Sequence, residues 1–347
     1  MIKKNFERIL IIKWGALGDL VAATPAIKTV RENYPNALIT LLTNPLMKQL
    51  IPPGFLVNEH LIINTNRNKV EDSILKQLLI ALKLRRKKID LAINLRWTSE
   101  RAALLTYLSG AKERISSGPK KMMNLYTIQL DHPVGRYHEI NRNLDIVRAL
   151  GLVFNDDNPV IYISDDDKKF AENFYSINSL NPDSTICIHP GASRSIRAWL
   201  PERFAEIGKR IAKEFNMRIV VTWGSNESIL ADQVVANIGN DAIKAPPTNT
   251  IGQLAALISN SKLFFSNCTG PMNVAVAVRT PVVALLGSSD PIDWGAYGNQ
   301  HINIKSPHKL EHYSDEDERR AMEAISIEMV WEKISEKIME LNSVNKL

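Results

Sequence analysis

Cysteine is scarce in this sequence, which contains Cys187 and Cys268 and no other thiol among its 347 residues. Two thiols are too few for a disulfide framework or a thiolate metal site, and they suit a reducing compartment. Long apolar runs are missing too, because Lys, Asp or Gly interrupts the most apolar stretches before the roughly 18–20 residues of a spanning helix. The basic and apolar start ends at a glycine turn without a small-residue cleavage pattern. We therefore expect a cytoplasmic protein, soluble or peripherally attached to a membrane.

A large excess of one charge is also absent, since 43 basic and 37 acidic side chains leave a net charge of +6. The surplus is uneven: residues 1–164 carry 24 basic and 14 acidic side chains, whereas residues 165–347 carry 19 and 23. A basic half can steer an anionic ligand, although a solvated surface is the commoner meaning of excess lysine. With 45% apolar and 23% charged residues, the composition is that of a soluble globular protein, and the length predicts two domains.

Short apolar runs alternate with helical patterns along the chain, which predicts repeated βαβ units and parallel sheets. The first series has strands at 8–14, 37–43, 59–63 and 90–95 and helices at 20–33, 72–87, 99–108 and 140–150. The second series has strands at 185–189, 218–223, 262–266 and 281–286 and helices at 201–215, 227–238, 251–259 and 271–278. Two such series predict an α/β protein with two Rossmann-like domains.

The polar stretch 155–167, rich in acidic residues, marks the seam between the two domains. We therefore place an N-terminal domain at 1–160 and a C-terminal domain at 161–325. The charged segment 306–320 lacks periodicity and is expected to loop over the surface. Regularly spaced apolar residues then predict a last amphipathic helix at 326–347.

The first strand runs into KWGALGDLVAATPAI, where Gly15 and Gly18 precede a helix. Such a turn brings free backbone N–H groups and the positive helix end to the carboxyl edge of the sheet, where α/β domains bind ligands. The G-x-x-G-D spacing is not the dinucleotide fingerprint, and no acidic ribose partner ends the second strand. Asp19 repels phosphate but suits a general base acting on a hydroxyl, while helix capping explains it equally well.

The second domain opens with a strand followed by HPGASRSIRAWLPERF. Backbone amides, the hydroxyls of Ser193 and Ser195, and two arginines precede the helix that starts at the proline. The guanidinium groups of Arg194 and Arg197 can converge with these donors on a phosphate. This is the outline of a pyrophosphate site, and a surface loop with two solvated arginines is the alternative.

A third strand, turn and helix form FFSNCTGPMNVAVAV. Thr269, Gly270 and the helix amino end offer donors to an anion, while Asn267 and Asn273 offer neutral hydrogen bonds to sugar or phosphate. Pro271 is also ordinary helix punctuation, so part of this pattern is structural. Two anion-suited turns in one domain favour a binding site more than either does alone. Histidine and cysteine show no metal-ligand spacing, so no metal is expected.

Four segments in this order resemble the glycosyltransferase family 9 heptosyltransferases: ILIIKWGALGDLVAATPAIKTVRENYPNA, HPGASRSIRAWLPERFAEI, NCTGPMNVAVAVRTPVVALLGSSDPIDWGAYG and AISIEMVWEKI. These enzymes have a GT-B fold, in which two Rossmann-like domains with parallel sheets face a central cleft. They transfer heptose from ADP-heptose to the inner core of lipopolysaccharide. The resemblance implies the same fold and activity here, with the helix at 326–347 packing back on the N-terminal domain.

The resemblance also implies roles for single residues. Asp19 is the general base toward the acceptor hydroxyl. Arg197 stands where these enzymes usually carry a lysine that neutralises the donor pyrophosphate, and Ser193 touches the same phosphate. The Thr-Gly pair at 269–270 holds the nucleotide end, and Glu227 is similar to an acidic residue that contacts the adenosine ribose.

One motif departs from the family pattern N-D-S/T-G-x-x-H, because this chain reads N-C-T-G-P-M-N. Cys268 therefore stands at the acidic position and Asn273 at the histidine position. A thiol poorly replaces a carboxylate that fixes sugar hydroxyls or a cation, and asparagine cannot carry the charge of histidinium. A nucleotide-sugar-binding protein with an altered donor or little activity is therefore an alternative, and the retained Asp19 favours activity.

The expected reaction is a single inverting displacement without a metal or other cofactor. Asp19 removes the acceptor proton, while Arg197 and backbone amides stabilise charge on the departing ADP. The implied partners are a nucleotide-sugar donor and an anionic glycolipid or core oligosaccharide acceptor, with peripheral contact at the inner membrane and no nucleic acid. An NAD-dependent oxidoreductase on the same sheets is the weaker alternative, because the G-x-G-x-x-G fingerprint is missing.

Overall fold

The computed structural model describes residues 5–66, 69–70, 72–130, 137–310, 312 and 314–344. The chain divides into two compact units, Met1–Tyr162 and Ile163–Leu347, a division close to the seam predicted after residue 160. Each unit contains one six-stranded sheet in which neighbouring strands pair in parallel. The predicted α/β class is therefore confirmed.

The sheet of the first unit is made of β1 (Arg8–Ile12), β2 (Leu38–Thr43), β3 (Glu59–Ile62), β6 (Leu91–Asn94), β7 (Glu113–Ser116) and β8 (Ile128–Gln129). A short antiparallel pair, β4 (Thr65–Asn66) and β5 (Lys69–Val70), stands apart from it. The helices are α1 (Leu17–Val21), α2 (Thr24–Asn33), α3 (Pro45–Leu50), α4 (Ile74–Arg86), α5 (Glu100–Leu108) and α6 (Glu139–Arg148), with a 3₁₀ helix at Lys120–Leu125.

The sheet of the second unit is made of β9 (Thr185–His189), β10 (Arg218–Val221), β11 (Ala242–Lys244), β12 (Leu263–Asn267), β13 (Val282–Leu286) and β14 (Ile302–Lys305). Its helices are α7 (Asp165–Ile177), α8 (Pro201–Phe215), α9 (Ser228–Ile238), α10 (Ile251–Ser259), α11 (Gly270–Ala277), α12 (Pro291–Trp294), α13 (Asp315–Glu323) and α14 (Ile327–Val344). Short 3₁₀ helices lie at Pro182–Ser184 and Ser195–Arg197.

Both sheets are doubly wound. The strand orders are β3-β2-β1-β6-β7-β8 and β11-β10-β9-β12-β13-β14. In each sheet the chain therefore first adds strands on one side of a central strand and then adds the remaining strands on the other side. The order reverses between β1 and β6 in the first unit and between β9 and β12 in the second. In open α/β sheets, the crevice outside the carboxyl ends of the strands at such a reversal is where ligands bind.

The central strands of the second unit are buried along their whole length because both faces of the sheet are covered. All residues of β9, β12 and β13 are buried, the burial expected of a parallel sheet with helices on both sides. Trp199, Phe204 and Phe265 pack edge-to-face or tilted at centroid distances of 4.8–6.2 Å beneath the loop that follows β9. This aromatic cluster gives that loop a rigid support.

The last helix, α14, belongs to the core of the second unit. Val330, Ile334 and Ile338 are fully buried there, in one cluster with residues of α8 and of the sheet. Their spacing of four residues lines one helical stripe, as the sequence predicted. The buried stripe completes the core of its own unit, and the expectation that this helix packs back on the N-terminal domain stays a prediction.

Two of the predicted elements differ from the structure. The helix predicted at 20–33 is two helices, α1 and α2, because the chain turns at Ala22–Ala23 before Pro25 starts the second one. The segment predicted to loop over the surface contains α13, whose start is capped by the hydroxyl of Ser314 accepting from the backbone N–H of Asp317 at 3.1 Å. Four acidic residues in its first turn suit the positive helix end.

Candidate functional site

The two anion-suited loops of the second unit lie side by side at the carboxyl edge of its sheet. One loop follows β9 and carries Ser193, Arg194 and Arg197. The other follows β12 and leads through Thr269 into α11, which begins at Gly270. Because β9 and β12 are neighbours at the reversal of strand order, these predicted residues share one crevice.

A pocket of about 560 Å³ opens beside the loop after β9. Ser193 and Glu227, both predicted as donor-binding residues, line it. Its other lining residues come from the loops after β9 and β10 and from the starts of α8 and α9: Ala192, Ser195, Ala198, Trp199, Leu200, Pro201, Gly224, Ser225, Asn226 and Leu230. An apolar wall with a few polar groups and this volume suits a flat aromatic ring joined to hydroxyl groups.

Glu227 is fixed at the pocket by three neighbours. Its Oε2 lies 3.3 Å from Nε2 of His189 and accepts a hydrogen bond from the backbone N–H of Gly224 at 2.7 Å. Gly191 lies so close that a β-carbon there would be 2.1 Å from the carboxyl carbon. Burial raises the pKa of Glu227, but the hydrogen bonds and the charge of His189 outweigh it, so the pKa lies below its ordinary value. The side chain is therefore a held carboxylate.

Asn267 joins the two loops. Its Oδ1 accepts from the backbone N–H of Trp199 at 3.0 Å, and its Nδ2 donates to the carbonyls of Pro190 and Gly191 at 2.9 and 3.1 Å. The side chain is buried. The amide therefore positions the loop that carries Ser193, and the ligand contact expected of Asn267 stays a prediction.

The two arginines of the loop after β9 share one buried carboxylate. Glu318 of α13 accepts from Nη1 of Arg194 at 2.9 Å and from Nε of Arg197 at 3.1 Å, and Nη2 of Arg197 makes a second bond to it. Asp315 accepts from Nη2 of Arg194 at 2.6 Å. The side chain of Glu318 is 5% exposed, whereas those of Arg194 and Arg197 are 34% and 43% exposed. The buried carboxylate of Glu318 therefore fixes both of the partly exposed guanidinium groups.

Sequence reasoning missed Glu318, which lies more than a hundred positions from the arginines it binds. The available signal was the capping pattern of Ser314 followed by acidic residues, which indicates a helix start inside the segment we expected to be a loop. The hydrogen bond from Arg197 is the largest effect that holds the pKa of Glu318 below its ordinary value. We therefore assign Glu318 a structural role in shaping this loop.

Replacing Glu318 with glutamine is expected to remove a pH-dependent part of the stability. Because its pKa is lowered in the folded protein, its contribution is fully present above the ordinary carboxyl pKa of about 4.3 and is lost as the pH falls through the lower folded value. The melting temperatures of wild type and Glu318→Gln should therefore differ most near neutral pH and converge in acid. A difference that stays constant down to strongly acidic pH contradicts this assignment.

The start of α11 combines free backbone donors with two neutral side chains. The hydroxyl of Thr269 donates to the carbonyl of Asn267 at 3.3 Å, and Nδ2 of Asn273 donates to the carbonyl of Thr269 at 3.1 Å. No side chain of the described ranges caps the first amides of the helix. These amides and the positive helix end therefore remain available to an anion.

The thiol of Cys268 is close enough to two cations for their charges to act on it. Sγ of Cys268 is 3.4 Å from the carbonyl of Trp294, and the charges of Arg197 and Lys305 act on it. Burial nevertheless raises the pKa of this thiol, so it stays protonated at neutral pH. Lys305, which the sequence did not single out, ends β14 and donates to the carbonyls of Gly287 and Ser289 at 2.6 and 3.0 Å.

In the first unit, the glycine turn after β1 has the predicted form. Asp19 lies in the first turn of α1, and its Oδ2 accepts from the backbone N–H of Ala16 at 3.1 Å. A β-carbon at Gly15 would be 2.8 Å from Cβ and 2.9 Å from Oδ2 of Asp19, so only glycine fits there. Gly18 is the second residue of α1. Within the described ranges no residue donates to Oδ1 of Asp19, which leaves that oxygen able to accept a proton.

A buried ion pair includes Lys13, which directly precedes this turn in the chain. Nζ of Lys13, at the end of β1, lies 3.0 Å from Oε1 of Glu139 and donates to the carbonyl of Leu95 at 3.2 Å. Both charged side chains are less than a tenth exposed. The pair ties the ends of β1 and β6 to the start of α6, and removing either partner alone would leave an uncompensated buried charge.

Neither a metal-ion cluster nor a membrane-spanning helix is found among the residues that the structure describes. Across the residues the structure describes, no three His, Cys, Asp or Glu side chains are grouped to hold a metal ion. No helix in that part of the chain combines the length and apolar character needed to cross a membrane.

Comparisons with known proteins agree with this geometry. The family model of glycosyltransferase family 9 (heptosyltransferase) matches residues 78–325. Lipopolysaccharide heptosyltransferase 3 of Escherichia coli K12 is 28% identical over 80% of this chain and 81% of its own. The lipopolysaccharide core heptosyltransferase OpsX of Haemophilus influenzae Rd is 25% identical over 84% and 82%.

Solved structures show the fold. A glycosyltransferase family 9 protein from Veillonella parvula superposes with a TM-score of 0.82 at 22% identity, covering 98% of this chain and 99% of its own. ADP-heptose lipopolysaccharide heptosyltransferase II of E. coli superposes with a TM-score of 0.75 at 20% identity, covering 96% and 99%. The predicted GT-B fold is confirmed by these structures.

Proposed function

Because the chain belongs to glycosyltransferase family 9, we propose that it moves a heptose or related sugar from ADP-heptose to the lipopolysaccharide inner core or a related cell-surface glycan. The chain is a glycosyltransferase, which sets aside the oxidoreductase alternative. The crevice of the second unit is the observation that supports ADP-heptose as the donor. There a pocket with a held carboxylate lies beside a loop with two arginines and a free helix end.

The proposed donor complex follows from these groups. The adenine ring fills the apolar pocket, and the carboxylate of Glu227 accepts hydrogen bonds from the ribose hydroxyls. The pyrophosphate lies against Arg197, the hydroxyl of Ser193 and the first amides of α11 at Gly270. Thr269 and Arg194 lie beside the pyrophosphate. We propose that Arg197, Arg194 and the amides of α11 contact the departing ADP directly, in a reaction that needs no metal or other cofactor.

The proposed chemical step is a single inverting displacement. The acceptor hydroxyl oxygen bonds to the anomeric carbon as the bond from that carbon to the phosphate oxygen breaks. Asp19 takes the hydroxyl proton, and the electron pair of the broken bond leaves with ADP. Arg197 and the amides of α11 stabilise the negative charge that develops on the leaving phosphate.

The nucleotide is tested by thermal shift with ADP, UDP and GDP. A ligand that binds the folded state stabilises it by RT ln(1 + [L]/Kd), so at equal ligand concentration a tighter ligand raises the melting temperature more. ADP is expected to raise it most, because the apolar pocket and Glu227 are proposed to hold adenosine. An equal or larger shift with UDP or GDP contradicts an ADP-linked donor and favours the altered donor suggested by Cys268 and Asn273.

Gly191→Ala is expected to weaken ADP binding by about tenfold, the effect of losing one charge-assisted contact. The new methyl group would occupy the place of the Glu227 carboxylate, which must swing away from His189 and Gly224. The flexible end of a side chain moves in this variant, so the fold survives. Calorimetry should find similar losses for Gly191→Ala, Glu227→Ala and the double variant. Unchanged ADP affinity in Gly191→Ala contradicts the role of Glu227.

We also propose that the acceptor is an anionic glycolipid or core oligosaccharide and that the protein works at the cytoplasmic face of the inner membrane. The basic side-chain surplus of residues 1–164 supports an anionic acceptor on the first unit. A transfer assay with a truncated core acceptor tests this proposal and separates an active enzyme from a protein that only binds the nucleotide sugar. We propose no nucleic-acid partner.

A further inference from the structure

Helix α4 (Ile74–Arg86) is apolar on two opposite sides. Ile80, Ala81 and Leu84 are buried in the core of the first unit. The other side is exposed: Ile74 by 73%, Leu75 by 69%, Leu78 and Leu79 by 50% each, and Leu82 by 54%. Residues 75, 78, 79 and 82 have the spacing of one helical face, and residue 74 borders it. We call these five side chains the α4 stripe.

The neighbouring helix adds further exposed apolar surface. On α5, which packs against α4, Leu104 is 45% and Tyr107 is 50% exposed. Single exposed apolar residues are ordinary, but a row of five on one helix with two more on its neighbour is not. Folding of this unit leaves the row uncovered, so the surface is suited to another apolar phase or partner.

The charged side chains of the segment that carries the α4 stripe are all of one sign. The sequence from Ile74 to Lys88 contains six cations and no acidic residue: Lys76, Lys83, Arg85, Arg86, Lys87 and Lys88. Lys76 is paired with Asp72, and Lys87 with Glu59. In the described part of the chain, the other four cations have no ion pair. The helix therefore presents leucines together with uncompensated positive charge.

We infer that the α4 stripe docks on an anionic lipid bilayer. An amphipathic helix with apolar side chains and flanking Lys and Arg lies in the boundary between headgroups and acyl chains, where phosphates neutralise the cations. A second copy of this chain fits less well, because a twofold interface would bring the cations against their own copies. The inference deepens the proposed function, on which it rests, by assigning the surface that brings the enzyme to a glycolipid acceptor.

The contribution of the apolar side chains to membrane binding is tested by co-sedimentation with vesicles of phosphatidylethanolamine and phosphatidylglycerol. The full-length protein is expected to bind, and the double variant Leu78→Ser, Leu79→Ser to lose binding by about 30-fold or more. Ile177→Ser, Ile229→Ser is the matched control, since these isoleucines are 73% and 75% exposed on α7 and α9. The control should bind like the wild type.

The charge half is tested with Lys83→Glu, Arg86→Glu on the same vesicles. Binding should fall by about tenfold or more and should weaken with salt, whereas vesicles of phosphatidylcholine should bind every variant weakly and alike. Lys209→Glu, Lys213→Glu, which makes the same charge change on α8, is the matched control and should bind nearly as well as wild type.

Three results would overturn the inference: no binding of the wild type to anionic vesicles, equal losses in the α4 variants and their controls, or a dimer in sedimentation equilibrium that the leucine variant abolishes. The last result would assign the stripe to a second copy. Transfer to a soluble core oligosaccharide separates this inference from the proposed function, because it needs no membrane. The α4 variants should keep that activity, and its absence in the wild type would count against the proposed function alone.

Discussion

Asp19→Asn is expected to lower the rate of sugar transfer by about 10²–10⁴-fold, the usual contribution of a general base, and to leave ADP affinity unchanged. Asparagine cannot take the acceptor proton, but its side-chain oxygen can still accept the hydrogen bond from the backbone N–H of Ala16. The helix start and the fold of the first unit should therefore persist. ADP binding is proposed to use residues of the second unit, which this substitution does not alter.

Steady-state transfer rates and calorimetric ADP titrations measure both halves of this prediction. Asp167→Asn is the matched control, because Asp167 also lies in the first turn of a helix and accepts from the backbone N–H of Ser164 at 3.0 Å. It should transfer sugar at the wild-type rate. If Asp19→Asn retains near wild-type turnover, Asp19 is a helix cap and not the base.

The parts of the fold that were predictable are those in which local sequence and burial agree. β9 and β12 are short, mainly apolar runs followed by glycine turns, and both lie within one residue of the predicted bounds. Helix α13 was missed because Ala321 and Met322 are its only buried apolar residues, too few for a visible period. Helix α14 was predicted from its stripe, but a stripe does not say which core it completes.

The same limit applies to the site. The turns that carry Ser193 and Thr269 could be found because glycine and proline mark them in the sequence. Whether an amide such as that of Asn267 binds a ligand or neighbouring carbonyls depends on distances that sequence spacing does not contain. Glu318 approaches Arg197 only through the path of the chain from β14 to α13, and no local pattern connects the two residues.

Arg197→Ala is expected to weaken ADP binding by about 10- to 100-fold, because hydrogen bonds to charged groups contribute about 1.5–3 kcal/mol each. Arg197→Lys should keep more of the affinity than Arg197→Ala does, since the positive charge remains. Arg210→Ala is the matched control, because Arg210 likewise donates two hydrogen bonds to a single carboxylate, that of Glu328. Unchanged calorimetric affinity in Arg197→Ala would count against its place on the pyrophosphate.

A substitution of Glu318 tests the position of the Arg197 guanidinium separately from its charge, because it removes the partner that holds the group and leaves the group itself. The carboxylate that Arg197 binds comes from α13, and Cys268 at the neighbouring turn carries a neutral thiol. Glu318→Gln removes the fixed fork and should weaken ADP binding less than Arg197→Ala does. If Glu318 acts through Arg197, its substitution has no further effect in the Arg197→Ala protein. Additive losses in the double variant would mean that the two residues act on the nucleotide independently.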